Sequence, residues 1–346
     1  MIKDLCFEII QKCPNECIFC SSLASINKVT IIKFDTFKKT LDYILSKSGV
    51  EELSFSGGEP FLNPDLFKMI EYAKSKGIRV VLFTSGVKCA HKLTEEELKL
   101  MMESDIKRFD PSEEDKENIK RKLQKIYKMV YKREYTSISK SELEALKNLG
   151  LDKIVFDYQG SNREEYNLLM GKDNFCEVST SIIRACEVGI ETDIHFVPMK
   201  CNYKSLLDIV ELLNIAGVKN LSLLNFVPQG RGKVNESKLK MSKEEYEEFR
   251  KIVKEANERF NGKIRIGIPL DSNNSHKCTA GLSKLVIKYD GTILPCPAFK
   301  EFDSEILRKN GFRVLNIYEN LEELEIHEGT RNYPLCKKLY NFIGNI

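Results

Sequence analysis

Cys13, Cys17 and Cys20 stand at a Cys-x3-Cys-x2-Cys spacing directly after an apolar run, with Phe19 immediately before the last of them. Thiolates this close in sequence can wrap one face of an iron–sulfur cluster, and three of them leave one iron of a four-iron cube without a protein ligand. An open iron points to chemistry and not only to electron storage. Structural zinc is the rival reading. Such sites usually pair Cys-x2-4-Cys units and close on four ligands, and no fourth ligand lies near in sequence. On this motif alone zinc and plain thiols remain open alternatives.

A second constellation is Ser56-Gly57-Gly58-Glu59-Pro60, directly after another strand-like run. Paired glycines let a ligand approach the backbone, and the Glu59 carboxylate is able to hold an ammonium, although Gly-Gly before a proline is also an ordinary turn. In the tail, Cys278, Gly291 and Cys296 flank an Asp290-Gly291 hairpin turn, and Cys336 stands near the end. A zinc-bound hairpin is the bland account of that tail. His276 and His327 are candidates for a further ligand there, and His276 is more simply read as a loop histidine.

The elements that must position these residues read as repeated β-α units around a parallel sheet. Strands are expected at 5–10, 52–55, 79–84, 153–157, 191–197 and 219–226. Helices are expected from Asp35 as cap to Lys47, from Pro64 to Gly77, and near 174–187 and 203–215, the last two followed by Gly189 and Gly217. With right-handed crossovers, six such units make a partial (β/α)6 TIM-like barrel whose reactive groups gather at the C-terminal strand ends. The segment 86–152 breaks the rhythm. Ile119, Leu123, Ile126 and Val130 recur there at helical spacing, so a helical insertion is expected at about 104–140, with a solvated charged face. After Gly230-Arg231-Gly232 the pattern changes to a long charged helix at 242–259 and a hairpin at 284–295. The expected domains are therefore 1–232 and a smaller α+β domain at 233–346.

Composition adds boundaries. The 346 residues are 42% hydrophobic and 30% charged, as in an ordinary globular protein, and a net charge of +3 argues for neither nucleic acid nor an anionic membrane. No apolar stretch approaches the length of a membrane span, and the acidic start lacks a signal peptide's apolar core. A cytoplasmic protein is the expectation. There, eleven cysteines are better explained by metal ligation or catalysis than by disulfides.

Taken together, these motifs resemble the radical S-adenosylmethionine (radical SAM) superfamily. Residues 1–232 carry, in order on successive strands, the Cys13/Cys17/Cys20 loop, Gly57-Gly58-Glu59-Pro60, Thr84-Ser85-Gly86 and Asp157. The resemblance implies a four-iron cluster on the three cysteines, bound at its free iron by S-adenosylmethionine. It further implies that the 57–60 turn receives the methionine amino group, that Phe19 lies near the adenine, and that Ser85 and Asp157 stand around methionine or ribose. Thr84-Ser85-Gly86 departs from the family's frequent Thr-Asn-Gly, and Asp157-Tyr158-Gln159-Gly160 only approximates its Asp-Gly.

The tail resembles the opening of a SPASM or shorter twitch extension, which implies one auxiliary iron–sulfur cluster held by Cys278, Cys296 and Cys336. Cys89 and Cys201 follow strands three and five on the expected active-site side, where a thiol can donate a hydrogen atom; a spectator thiol is the alternative for each. The Pro228-Gln229-Gly230-Arg231 loop suggests Arg231 as a hold on a substrate carboxylate, or as a surface arginine.

The resemblance implies an enzyme that cleaves S-adenosylmethionine reductively and takes hydrogen from a peptide or protein. Its electron donor would be a ferredoxin or flavodoxin. With the barrel starting close to Met1, a leader peptide would be read by another protein or by the 86–152 insertion. A small metabolite or nucleotide is the alternative substrate, and a non-enzymatic iron–sulfur or zinc protein the remote one.

Overall fold

The computed structural model describes residues 1–90, 94–109, 112–131, 134–267, 278–300, 313–327 and 329. Along the chain its strands are β1 (Asp4–Ile10), β2 (Glu52–Gly57), β3 (Arg79–Thr84), β4 (Val87–Cys89), β5 (Tyr135–Ser137), β6 (Lys153–Asp157), β7 (Glu191–Phe196), β8 (Asn220–Leu224), β9 (Lys263–Gly267), β10 (Lys284–Ile287), β11 (Thr292–Leu294) and β12 (Leu315–Asn316). Its helices are α1 (Phe34–Lys47), α2 (Leu66–Ser75), α3 (Glu95–Phe109), α4 (Glu113–Tyr131), α5 (Lys140–Asn148), α6 (Arg163–Met170), α7 (Phe175–Val188), α8 (Leu206–Ala216), α9 (Arg231–Val234), α10 (Glu236–Leu239) and α11 (Lys243–Arg259).

The large sheet runs β12-β11-β10-β1-β2-β3-β6-β7-β8-β9. From β10 through β9 every neighbouring pair is parallel, while β11 and β12 are antiparallel additions. With β12 and β9 as its two edges, the sheet stays open, as a partial barrel requires. The six expected strands form within two residues of their expected ends. β9 is an additional parallel strand: Lys-Ile-Arg-Ile-Gly carries too little apolar signal to announce itself, and Ile266 remains 43% exposed at this edge.

Strand alternation divides the barrel into two chemistries. One set, including Leu5, Phe7, Leu53, Phe55, Val80, Leu82, Ile154 and Phe156, is fully buried. Phe7 meets Phe37 of α1 edge-on at 5.0 Å, and Phe37 lies 5.4 Å from Phe55, so this face packs beneath the helices. Each such phenylalanine stabilises the fold by about 1.5–3 kcal/mol through burial. The other set is mixed: Glu8, Ser54, Ser56, Asp157, Asp193, His195 and Ser222 belong to it, beside the apolar Val81, Phe83 and Val155. Its members at the C-terminal strand ends line a cavity.

α1 buries Phe37, Thr40, Leu41 and Ile44 along one stripe. Its N-cap is Lys33 and not Asp35, which sits in the first turn; the Phe34 N–H donates instead to Asp65 Oδ2 at 3.0 Å, a cap supplied from the start of α2. α11 starts where expected, on a reciprocal Ser242/Glu245 capping box. The 284–295 hairpin also forms, as β10 and β11.

The chain divides into a main unit, 1–87 with 137–346, and a second unit, 88–136. The second unit contains α3 and α4, two helices where the sequence pattern announces one, and Ile126 is 54% exposed on α4. Among the described residues no helix is long and apolar enough to cross a membrane.

Candidate active site

β1 delivers the chain into a loop, 11–25, that carries all three leading cysteines. The Cys13 N–H donates to the Ser25 carbonyl at 3.1 Å and the Cys20 N–H to the Cys17 carbonyl at 3.1 Å. The end of α6 holds the middle of the loop. Glu16 N–H reaches Met170 O at 3.1 Å, Ile18 N–H reaches Leu169 O at 2.9 Å, and Cys17 Sγ lies 3.7 Å from Met170 Sδ.

The three thiols line a cavity of about 360 Å³ at the C-terminal ends of the parallel strands, a volume suited to a small ligand. Burial, then the nearby Glu59 carboxylate, pushes the Cys13 thiol well up, and burial with the neighbouring Cys20 and Cys13 does the same for Cys17. Each thiol must give up that proton to ligate a metal. Among the described residues no three Cys, His, Asp or Glu side chains group as they would around a single metal ion. The three thiols line the cavity wall, and a set of cysteine sulfurs is the donor chemistry that an iron–sulfur cluster takes.

Glycines 57 and 58 are dictated by β1. A Cβ on Gly58 would fall 2.1 Å from the Lys12 carbonyl oxygen, and one on Gly57 would fall 2.3 Å from that of Ile10, with φ at +131°. The Gly58 and Glu59 N–H groups donate to Ile10 O and Lys12 O at 2.6 and 2.8 Å. What the turn can still offer a ligand is therefore carbonyl oxygen, which suits an ammonium.

Glu59 itself is fully buried and outside the cavity lining. The carboxylate that the sequence offers to an ammonium instead accepts from Thr84 Oγ1 at 2.8 Å, from Ser85 N–H at 2.8 Å and Ser85 Oγ, and from Phe61 N–H at 3.2 Å. It welds the end of β2 to the end of β3, with Pro60 buried beside it. Burial raises its carboxyl, against the pull of these hydrogen bonds.

Asp157, closing β6, differs. Its surface opens onto the cavity, and its carboxylate has no hydrogen-bond partner among the described residues. Protein surrounds that opening, and this burial, aided by Glu59, pushes the carboxyl up to about 6 despite Lys300. Phe19, Gly57, Gly58 and Ser85 line the same cavity.

Other expected residues lie elsewhere. Cys201 is exposed after β7 and outside the cavity lining, and Cys89 is exposed in the second unit. Cys278 shares a buried cluster with Leu294 and Phe299, against which Cys296 and Cys6 pack. Cys336 and His276 lie outside the described residues; His327 is exposed. Arg231 turns to the cysteine loop, its Nε donating to the Cys17 carbonyl at 2.7 Å.

Sequence reading missed Asn15, Ser22, Met170, Leu224 and Lys300, all of which line the cavity. Asn15 had a signal, since it sits inside the cysteine motif. Lys300 had none. It reaches Ser22 Oγ at 3.0 Å across 278 residues and forms a buried ion pair with Glu8, which holds it above the ordinary lysine range despite burial.

The chain is similar to known proteins over most of its length. The PqqA peptide cyclase of Ruegeria pomeroyi is 24% identical over 334 residues, covering 92% of this chain and 76% of its own. The antilisterial bacteriocin subtilosin biosynthesis protein AlbA of Bacillus subtilis is 24% identical over 339 residues, covering 96% and 60%. In fold, the chain is similar to Streptococcus suis SuiB bound to its precursor peptide SuiA, with a TM-score of 0.61, 18% identity, and coverage of 92% of this chain and 63% of that one. It is also similar to anSMEcpe with bound AdoMet, with a TM-score of 0.60, 16% identity, and coverage of 93% and 80%. The chain thus spans about three quarters of the cyclase and less than two thirds of AlbA and SuiB. The radical SAM superfamily model matches residues 7–114, which contain the cysteine loop and the 57–60 turn, so this part of the chain carries a radical SAM domain.

Proposed function

We propose that this enzyme takes a hydrogen atom from a peptide or protein substrate held in the cavity. The observation that carries the reading is the convergence of three cysteine thiols, the 57–58 backbone and the unpartnered Asp157 on one cavity. A peptide is favoured because the cyclase and AlbA, which resemble this chain over more than nine tenths of its length, are named for a peptide and for bacteriocin biosynthesis.

In this reading Cys13, Cys17 and Cys20 hold a four-iron cluster. Once loaded, cluster and S-adenosylmethionine together supply one-electron cleavage of the sulfonium and a deoxyadenosyl radical. The chain's own residues bind and orient. The 57–58 carbonyls receive an ammonium, Asp157 accepts from hydroxyls, and Phe19 offers a ring face to a base. Asp157 works ionised, a state available above its raised pKa of about 6. Phe83 and the strand ends wall the cavity in which the reacting centre lies.

Cys278 and Cys296, brought into one buried cluster, are proposed with Cys336 as holders of one auxiliary iron–sulfur cluster in a domain at 233–346. A cytoplasmic location, a ferredoxin or flavodoxin donor and a separate leader-recognition protein complete the proposal. The test is deuterium transfer. A peptide encoded beside the gene, made in deuterated form, should pass deuterium into 5′-deoxyadenosine. Transfer from a small metabolite and from no peptide would overturn the peptide reading.

A further inference from the structure

The cysteine loop has no regular secondary structure, so its carbonyls must find donors elsewhere if the three sulfurs are to keep fixed positions. One short segment after β8 supplies them. Arg231 gives two: its Nε donates to the Cys17 carbonyl at 2.7 Å and its backbone N–H to the Cys20 carbonyl at 3.0 Å. Asn235 gives the third, Nδ2 to the Ile18 carbonyl at 3.0 Å, and braces itself on the Arg231 carbonyl at 2.9 Å.

The segment's approach leaves no room for side chains. A Cβ on Gly230, whose φ is +55°, would fall 2.5 Å from the Cys20 carbonyl oxygen, and one on Gly232 would fall 3.1 Å from that of Phe19. Arg231 Nη2 is buried and makes no hydrogen bond. A guanidinium so committed to the loop is poorly placed to serve a substrate carboxylate, the role its sequence context suggests.

We propose that Arg231 and Asn235 are positioning residues that lock the cysteine loop in its ligand geometry, and that the Arg231 charge raises the reduction potential of the cluster bound there. This rests on Cys13, Cys17 and Cys20 being the cluster's ligands. Reduction adds one negative charge to the cluster, and a permanent cation fixed against the loop in a partly buried site favours the reduced form. The two residues separate the two effects. Asn235 is neutral and contributes only to the lock, whereas Arg231 contributes to both.

The test uses the reconstituted holoenzyme and reads iron loss to a chelator alongside an anaerobic potentiometric titration. The titration is followed by electron paramagnetic resonance, and S-adenosylmethionine marks the signal of the open cluster. Arg231→Gln should lower the reduced-to-oxidised ratio at a fixed potential about tenfold, a shift of about 59 mV for one electron, and should release iron several-fold faster. Asn235→Ala should release iron faster with its potential unmoved. Arg231→Lys should keep the potential and lose the lock.

An Arg231→Gln protein with wild-type potential and wild-type iron loss would overturn the proposal, and a raised peptide KM as its sole defect would return Arg231 to the substrate. Circular dichroism of each variant separates a folding failure from either effect. A wild-type protein that takes up no iron would instead sink the ligand assignment beneath the proposal.

Discussion

Replacing Asp157 with asparagine should stabilise the cofactor-free protein while removing its activity. The carboxyl holds its proton up to about pH 6 in the folded chain, against an ordinary aspartate value of 3.8. Between those values the folded state therefore binds more protons than the unfolded state, and stability falls as pH rises through this window. A shift of about two units corresponds to about 3 kcal/mol. Because the side chain opens onto a water-accessible cavity, screening reduces this to about 1 kcal/mol.

For a chain of 346 residues, an unfolding entropy of about 2.1 cal/mol/K per residue turns 1 kcal/mol into a Tm rise of about 1–2 °C. Asp157→Asn should show that rise at pH 7.5 and keep only about a third of it at pH 4.5, as read by differential scanning fluorimetry at both pH values. A variant that melts lower at pH 7.5, or whose gain does not depend on pH, would refute the argument that this carboxylate is stored at a cost to the fold for the sake of the site.

Glu59→Gln should destabilise the chain by about 2 kcal/mol, because four N–H or hydroxyl donors, three at the β3 end and one on Phe61, lose a charged acceptor; urea unfolding at pH 8 reads this. Gly58→Ala should abolish soluble expression or cost more than about 3 kcal/mol, since its methyl would fall 2.1 Å from Lys12 O. Replacing Cys296 with serine should remove about half of the bound iron and leave the open cluster's absorbance and S-adenosylmethionine response in place; iron analysis after reconstitution checks it.

The six principal strands were legible because β-branched, apolar runs such as Arg79–Thr84 recur between helix signals, and local chemistry decides them. Edge strand β9 was not, since four of its five residues are exposed and select no apolar pattern. The order of the site motifs along the strands was legible as well, and it brought the cysteines, the 57–58 backbone, Ser85 and Asp157 to one cavity.

Illegible was what each side chain does once the chain is folded. Glu59 looks like a ligand and is spent on Thr84 and Ser85; Arg231 looks like a substrate anchor and is spent on Cys17. Both assignments depend on partners far away in sequence, as does the Lys300–Glu8 pair, and spacing carries no record of such contacts.

The central claim is tested most directly by reconstituting the protein anaerobically with iron and sulfide, reducing it with S-adenosylmethionine present, and measuring 5′-deoxyadenosine and methionine by chromatography. Wild-type protein should form both products, and Cys17→Ala should form neither. A colourless, zinc-filled wild-type protein, or a fully reduced four-iron cluster that yields no 5′-deoxyadenosine with or without peptide, would contradict it.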